Sequence, residues 1–122
     1  MAIAAVDFQM LANAGFPPQN YAAGDTVFGT GDKGDSMYLI RSGEVTIERD
    51  GKIIETLGGG GIFGEMALID GSPRSATARA KTDCVVAAIN EKIFLFLVHE
   101  TPYFAIAVMR TLAERLRRMN QA

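Results

Sequence analysis

The sequence predicts a mainly β fold, an antiparallel β-roll or jelly-roll-like barrel, with a short helix before it, another within it and two after it. Three observations carry that expectation. Residues 19–90 hold short runs rich in β-branched and aromatic side chains, separated by Gly and Asp turns, the pattern of many short antiparallel strands. One helical turn is expected at 65–69, closed by Asp70, Gly71, Ser72 and Pro73. From residue 91 onward the apolar spacing changes from alternation to helical period.

Taken in order, Val6, Phe8, Leu11 and Ala14 have mixed helical spacing ahead of Gly15, which predicts a short first helix. Pro17 and Pro18 then force an extended exit, because proline restricts both itself and its predecessor. Strands are expected at 26–28, 37–40, 45–48, 53–57, 76–80 and 84–89. Asp50 and Gly51 between two alternating runs form the strongest short-range hairpin signal in the chain. Ile93, Phe94, Leu97 and Val98 predict a helix over 91–100, and Thr101 is placed to cap a second one with Pro102 in its first turn. That last helix, expected over 103–119, carries the stripe Ala105, Val108, Met109, Leu112, Leu116 and Met119. The whole of 1–122 is expected to be a single domain: a helical lead-in over 1–18, the β-roll over 19–90 and the helices over 91–120.

Whole-chain numbers narrow the function. A chain of 122 residues, 48% hydrophobic and 21% charged, suffices for one core without staples. A net charge of −2 gives no electrostatic case for nucleic acid, and Arg110, Arg115, Arg117 and Arg118 are read as cations at the favourable end of the helix dipole. Cys84 is the single cysteine and is read as a small buried strand residue, which fits a reducing, cytoplasmic setting. The N-terminus lacks a basic, signal-like region, and no apolar run approaches the ~18 residues of a membrane span. His99 has no partner at ligand spacing, so neither a metal site nor a catalytic base is expected there, and no nucleophile is paired with a base.

The chemistry sits in residues 58–80, GGGGIFGEMALIDGSPRSATARA. Gly59, Gly61 and Gly64 formally match the dinucleotide fingerprint G-x-G-x-x-G, but the break at 70–73 leaves no room for the full helix that a dinucleotide fold requires. A different phosphate logic survives. A glycine turn leads into one helical turn whose first N–H groups lack partners, and Arg74 follows across a tight turn. Rigid amides facing a bidentate guanidinium suit a phosphate. Glu65 beside them suits a ligand that also offers a hydroxyl donor, and Ser75 and Thr77 add short hydroxyls.

Phe63, Gly64, Glu65, Met66, Ala67 and Leu68, followed by Pro73, Arg74, Ser75, Ala76 and Thr77, resemble the phosphate-binding cassette of the cyclic nucleotide-binding domain family, found in catabolite-activator-type regulators, kinase regulatory subunits and gated channels. The resemblance extends over nearly the whole chain, through residues 23–25, 31–32, 37–40 and 42–45 to the two closing helices. It implies a cassette at 63–77 that is intact at each motif position. Arg74 would pair with the cyclic phosphate and Glu65 would accept the ribose 2′-hydroxyl. Gly64, Met66 and Ala67 would line the site through backbone groups, Ser75 would reach phosphate or base, and Thr77 stands at the same mouth.

The expected function is therefore a regulatory sensor of a cyclic nucleotide, cAMP in preference to cGMP, acting by binding and needing no cofactor. Ligand capture is expected to draw the cassette inward and to close the last helix through a hinge at 90–94. In the catabolite-activator-type regulators the equivalent helix forms a dimer interface; Val108, Leu112, Leu116 and Met119 could form one here or pack on the chain's own barrel. No helix-turn-helix is expected within this chain, so the output is assigned to an effector protein or a further domain. The alternative function is a protein-interaction module whose pocket is vestigial.

Overall fold

The structure is a computed structural model that describes residues 7–120, so Val6 and the rest of the expected lead-in over 1–6 lie outside the described residues. Two compact units are present: residues 7–91, and a helical unit that includes residues 92–120.

In the first unit, α1 (Phe8–Ala12) starts at Asp7, whose carboxylate accepts from the Gln9 and Met10 amides in an N-cap. Eight strands follow: β1 (Pro18–Tyr21), β2 (Thr26–Phe28), β3 (Ser36–Ser42), β4 (Val45–Arg49), β5 (Lys52–Leu57), β6 (Ile62–Phe63), β7 (Thr77–Ala80) and β8 (Cys84–Asn90), with α2 (Glu65–Asp70) between β6 and β7. They form two four-stranded antiparallel sheets in the orders β1-β8-β3-β6 and β2-β7-β4-β5. This is the jelly-roll arrangement that the short strands predict.

The core lies where the inner faces of the two sheets meet. Ile40, Phe63, Cys84 and Val86 come from one sheet, Val45, Ala78 and Ala80 from the other, and all seven are buried in one cluster. Each large apolar side chain buried this way contributes about 1.5–3 kcal/mol. Cys84 takes its place as a small hydrophobe, and burial raises its thiol pKa above the ordinary value.

The hairpin signal at Asp50 and Gly51 is realised: both residues have positive φ, 54° and 76°, and they join β4 to β5. Beyond the turn the ladder slips. Ile47 faces Glu55 and Glu48 faces Ile53, so Ile54 is the extra residue of a bulge. Two strands, β1 and β6, are additional to the six expected; β1 precedes them all and begins on Pro18, where a missing donor is tolerated.

The helical unit holds α3 (Glu91–Glu100) from its second residue onward and α4 (Tyr103–Asn120), the two helices meeting at 116°. Helix α4 begins one residue beyond Pro102. Phe94 and Phe104 pack edge to face across the corner, with ring centroids 5.3 Å apart. Among the described residues no single helix is long and apolar enough to cross a membrane.

Candidate functional site

The local chain around Arg74 is held from both sides. Its own N–H donates to the Asp32 carbonyl at 2.8 Å, and its carbonyl accepts from the Gly31 N–H at 2.7 Å. The loop that makes this clamp is itself tied by the Asp32 carboxylate, which accepts from the Gly29 N–H at 2.8 Å. On the other side, Asp70 accepts from both the amide and the hydroxyl of Ser72, turning the chain sharply after α2; these bonds hold the Asp70 carboxyl below its ordinary pKa. Arg74 therefore leaves the turn in one fixed direction.

Its guanidinium points inward, and the residue as a whole is 6% exposed. Nη1 donates to the Gly64 carbonyl at 2.6 Å, and Nη2 donates to the Ser36 carbonyl at 2.7 Å. Nε is buried with no hydrogen-bond partner. Leaving such a donor orphaned costs about 1–3 kcal/mol, so the arrangement retains a standing preference for an acceptor. The guanidinium carbon sits 4.0 Å above the Phe28 ring centroid and 5.8 Å from that of Tyr38. Burial raises the Tyr38 phenol pKa, against the opposing pull of the Arg74 charge.

Gly64 is the N-cap of α2 and shows why the motif has glycine there. Its φ is +78°, and a Cβ would lie 2.8 Å from Arg74 Nη1, 3.2 Å from Phe28 and 3.3 Å from Tyr38. The bond from Arg74 to the Gly64 carbonyl thus brings the guanidinium to the start of α2, whose first amides have no partner within the helix.

The sequence-predicted residues separate into groups. Gly64 and Arg74 are in direct contact, and Glu65 (2% exposed) and Ala67 (4%) are buried in the same short helix. Met66 is exposed on that helix. Ser75 has an exposed side chain, and its carbonyl accepts from Arg49 Nε at 3.3 Å. The Thr77 hydroxyl is already engaged, accepting from the Thr30 N–H at 3.1 Å and lying 3.0 Å from the Thr30 hydroxyl. Phe28, Tyr38, Gly34 and the Ser36 carbonyl were not singled out from sequence; a Phe or Tyr within a strand run carries no mark that separates it from core. No group of three His, Cys, Asp or Glu able to hold a metal occurs among the described residues.

The sequence profile of the family described as "Cyclic nucleotide-binding domain" matches residues 18–101. The chain belongs to this family. The CRP-like cAMP-activated global transcriptional regulator of Mycobacterium tuberculosis is 32% identical over 108 residues, 84% of this chain and 48% of that protein. The chain thus spans about half the length of this curated relative. Among solved structures, the Thermus thermophilus catabolite activator protein superposes with a TM-score of 0.82 at 34% identity, covering 95% of this chain and 57% of that one. The EAL enzyme Bd1971 is similar both in its cAMP-bound form (TM-score 0.63, 36% identity, 84% of this chain, 29% of that one) and in its cGMP-bound form (0.64, 37%, 86% and 29%). The jelly roll of this chain is accordingly the cyclic nucleotide-binding fold, and the family to which it belongs regulates by binding.

Proposed function

We propose that the chain, acting as one domain, is a non-enzymatic sensor that binds a cyclic nucleotide at residues 63–77 and prefers cAMP to cGMP. The observation that carries the reading is the buried Arg74 guanidinium at the start of α2 with Nε unpartnered. A cyclic phosphate supplies the missing acceptor and accepts from the first amides of α2, near Glu65, Met66 and Ala67. Glu65 accepts the ribose 2′-hydroxyl, which explains a carboxylate beside an anion site. Ser75 stands at the mouth, and Thr77 acts through Thr30 by holding the loop opposite Arg74. The cAMP preference is supported by the cAMP-activated regulator among the relatives; the Bd1971 forms fit either base.

Ser36, whose carbonyl receives Arg74 Nη2, is the ladder partner of Asn90, and α3 begins at Glu91 without an intervening loop. The binding event therefore leaves the site through the β3–β8 ladder into the first turn of α3. Such coupling requires only that one arrangement of this junction bind ligand more tightly than the other. Output then passes to an effector or a further domain, and α4 associates with a second copy of the chain.

The test is calorimetric titration of ligand-stripped protein with cAMP, cGMP and 5′-AMP. Tight binding of cAMP, weaker binding of cGMP and little of 5′-AMP are expected, and Arg74→Ala should weaken cAMP by roughly a hundredfold, as loss of charge-assisted bonds implies. Because Arg74 is buried, Arg74→Lys is run in parallel with a thermal melt to separate binding from unfolding. If no nucleotide binds the folded chain, the protein-interaction reading replaces this one.

A further inference from the structure

We infer that Phe28 is a positioning residue for Arg74, setting the plane in which the guanidinium meets a phosphate; the inference rests on the site reading above. Phe28 lies beneath the arginine as one member of a cluster of three aromatic rings. Tyr38 and Phe63 stack with centroids 5.1 Å apart, and Phe28 tilts against both at 6.0 Å. Of the three, Phe28 is the ring that the guanidinium covers, at 4.0 Å, and Tyr38 lies farther off at 5.8 Å.

The chemistry favours a positioning role over simple core filling. The two hydrogen bonds of Arg74 go to main-chain carbonyls, so each fixes one edge of the guanidinium and neither supplies a countercharge. An aromatic face attracts a cation and, being flat, selects the orientation of a planar one. With Gly64 and Ser36 carbonyls at two nitrogens and the Phe28 face below, the direction of Nε is determined. Phe28 also lies 3.2 Å from where a Gly64 Cβ would be, so the same ring buttresses the N-cap of α2. One side chain thus aligns both donors of the site. Strand β2 presents it through pairing with β7, where Phe28 faces Ala78, four residues beyond Arg74.

The experiment is a double-mutant cycle on the full chain, read as the Kd for cAMP. Phe28→Leu should weaken binding about three- to thirtyfold, with the upper end set by the full worth of a desolvated cation–π contact, since part of that contact already exists without ligand, and Phe28→Tyr should restore it. In an Arg74→Gln background, followed at millimolar ligand by NMR, Phe28→Leu should have no further effect. Thermal melts of the ligand-free variants, with Phe28→Met as a second aliphatic replacement, establish that folded protein is compared. Parent-like binding by both aliphatic variants overturns the inference, as does an equal loss with and without Arg74, which would make Phe28 filler. If the parent chain itself binds no cyclic nucleotide, the site reading fails first, an outcome distinct from both.

Discussion

Arg74 is held on several sides at once. It is buried, clamped through its main chain by Gly31 and Asp32, and spread between two carbonyls and a ring. Gly34 completes the box: a Cβ there would lie 2.6 Å from Arg74 Nε, 2.7 Å from Cζ and 2.6 Å from the Ala67 Cβ. Gly43 is equally tight but elsewhere, with φ at +85° and a Cβ 2.3 Å from the Asp83 carbonyl oxygen. The two alanine substitutions should therefore fail differently. Gly34→Ala displaces the guanidinium and should weaken cAMP by about tenfold or more, given the strength of charge-assisted bonds, while Gly43→Ala should lower stability by about 1–3 kcal/mol through backbone strain and leave the affinity of folded protein unchanged. Paired calorimetry and chemical denaturation check this; equal affinity losses would show that the box around Arg74 has no special role. Arg74 and Glu65 were legible in the sequence because the motif marks them together. The sequence does not mark Gly34 as part of the site, since its demand comes from residues 33 and 40 positions away that only the folded sheets bring near.

Elements were legible where period and punctuation agreed, as for α3, α4 and the β4–β5 hairpin. They were hard to read where an element is too short to show a period, as in the two residues of β6. The exposure of neighbouring Ile53 (62%) and Ile54 (52%) was also hidden, because alternation should bury one of them; the bulge at Ile54 on edge strand β5 breaks that alternation. At the element scale, the proposed coupling concerns the end of the β3–β8 ladder. Ser36 pairs with Asn90 at the last rung of the β3–β8 ladder, and Arg74 grips the Ser36 carbonyl. When a phosphate fixes Arg74, that rung should open less often, and amides of residues 36–38 and 89–93 should gain hydrogen-exchange protection on cAMP addition. Residues 52–57 of β5, which share no rung with this path, should change little. Protection spread evenly over both sheets would signal general stabilisation by ligand and remove the case for a directed path.

At the scale of the molecule, α4 leaves several large apolar side chains exposed. Its apolar residues divide between two faces: Phe104 and Val108 are buried, whereas Ile106 (39% exposed), Met109 (56%) and Leu116 (59%) are open. Ile106, Met109, Ala113 and Leu116 recur at spacings of three, four and three, the seam of a two-stranded coiled coil. Val108, which belongs to the stripe seen in the sequence, is only 1% exposed and so contributes from the inner face; helical period alone cannot tell two narrow stripes from one wide one. A seam of identical helices is self-complementary under a two-fold axis, which makes a second copy the economical occupant. An 18-residue helix is about 27 Å long, and its apolar burial is of the same order as the entropic cost of association. The dimer is therefore expected to depend on concentration. Sedimentation equilibrium across the micromolar range should show a monomer–dimer mixture, shifted to monomer by Leu116→Glu or Met109→Glu, while Val108→Glu should unfold the helical unit instead. Leu116→Glu should still bind cAMP, since the residues assigned to the phosphate lie in the unit of residues 7–91. A parent chain that stays monomeric at every concentration, with and without ligand, would assign the open seam to the effector or to a further domain.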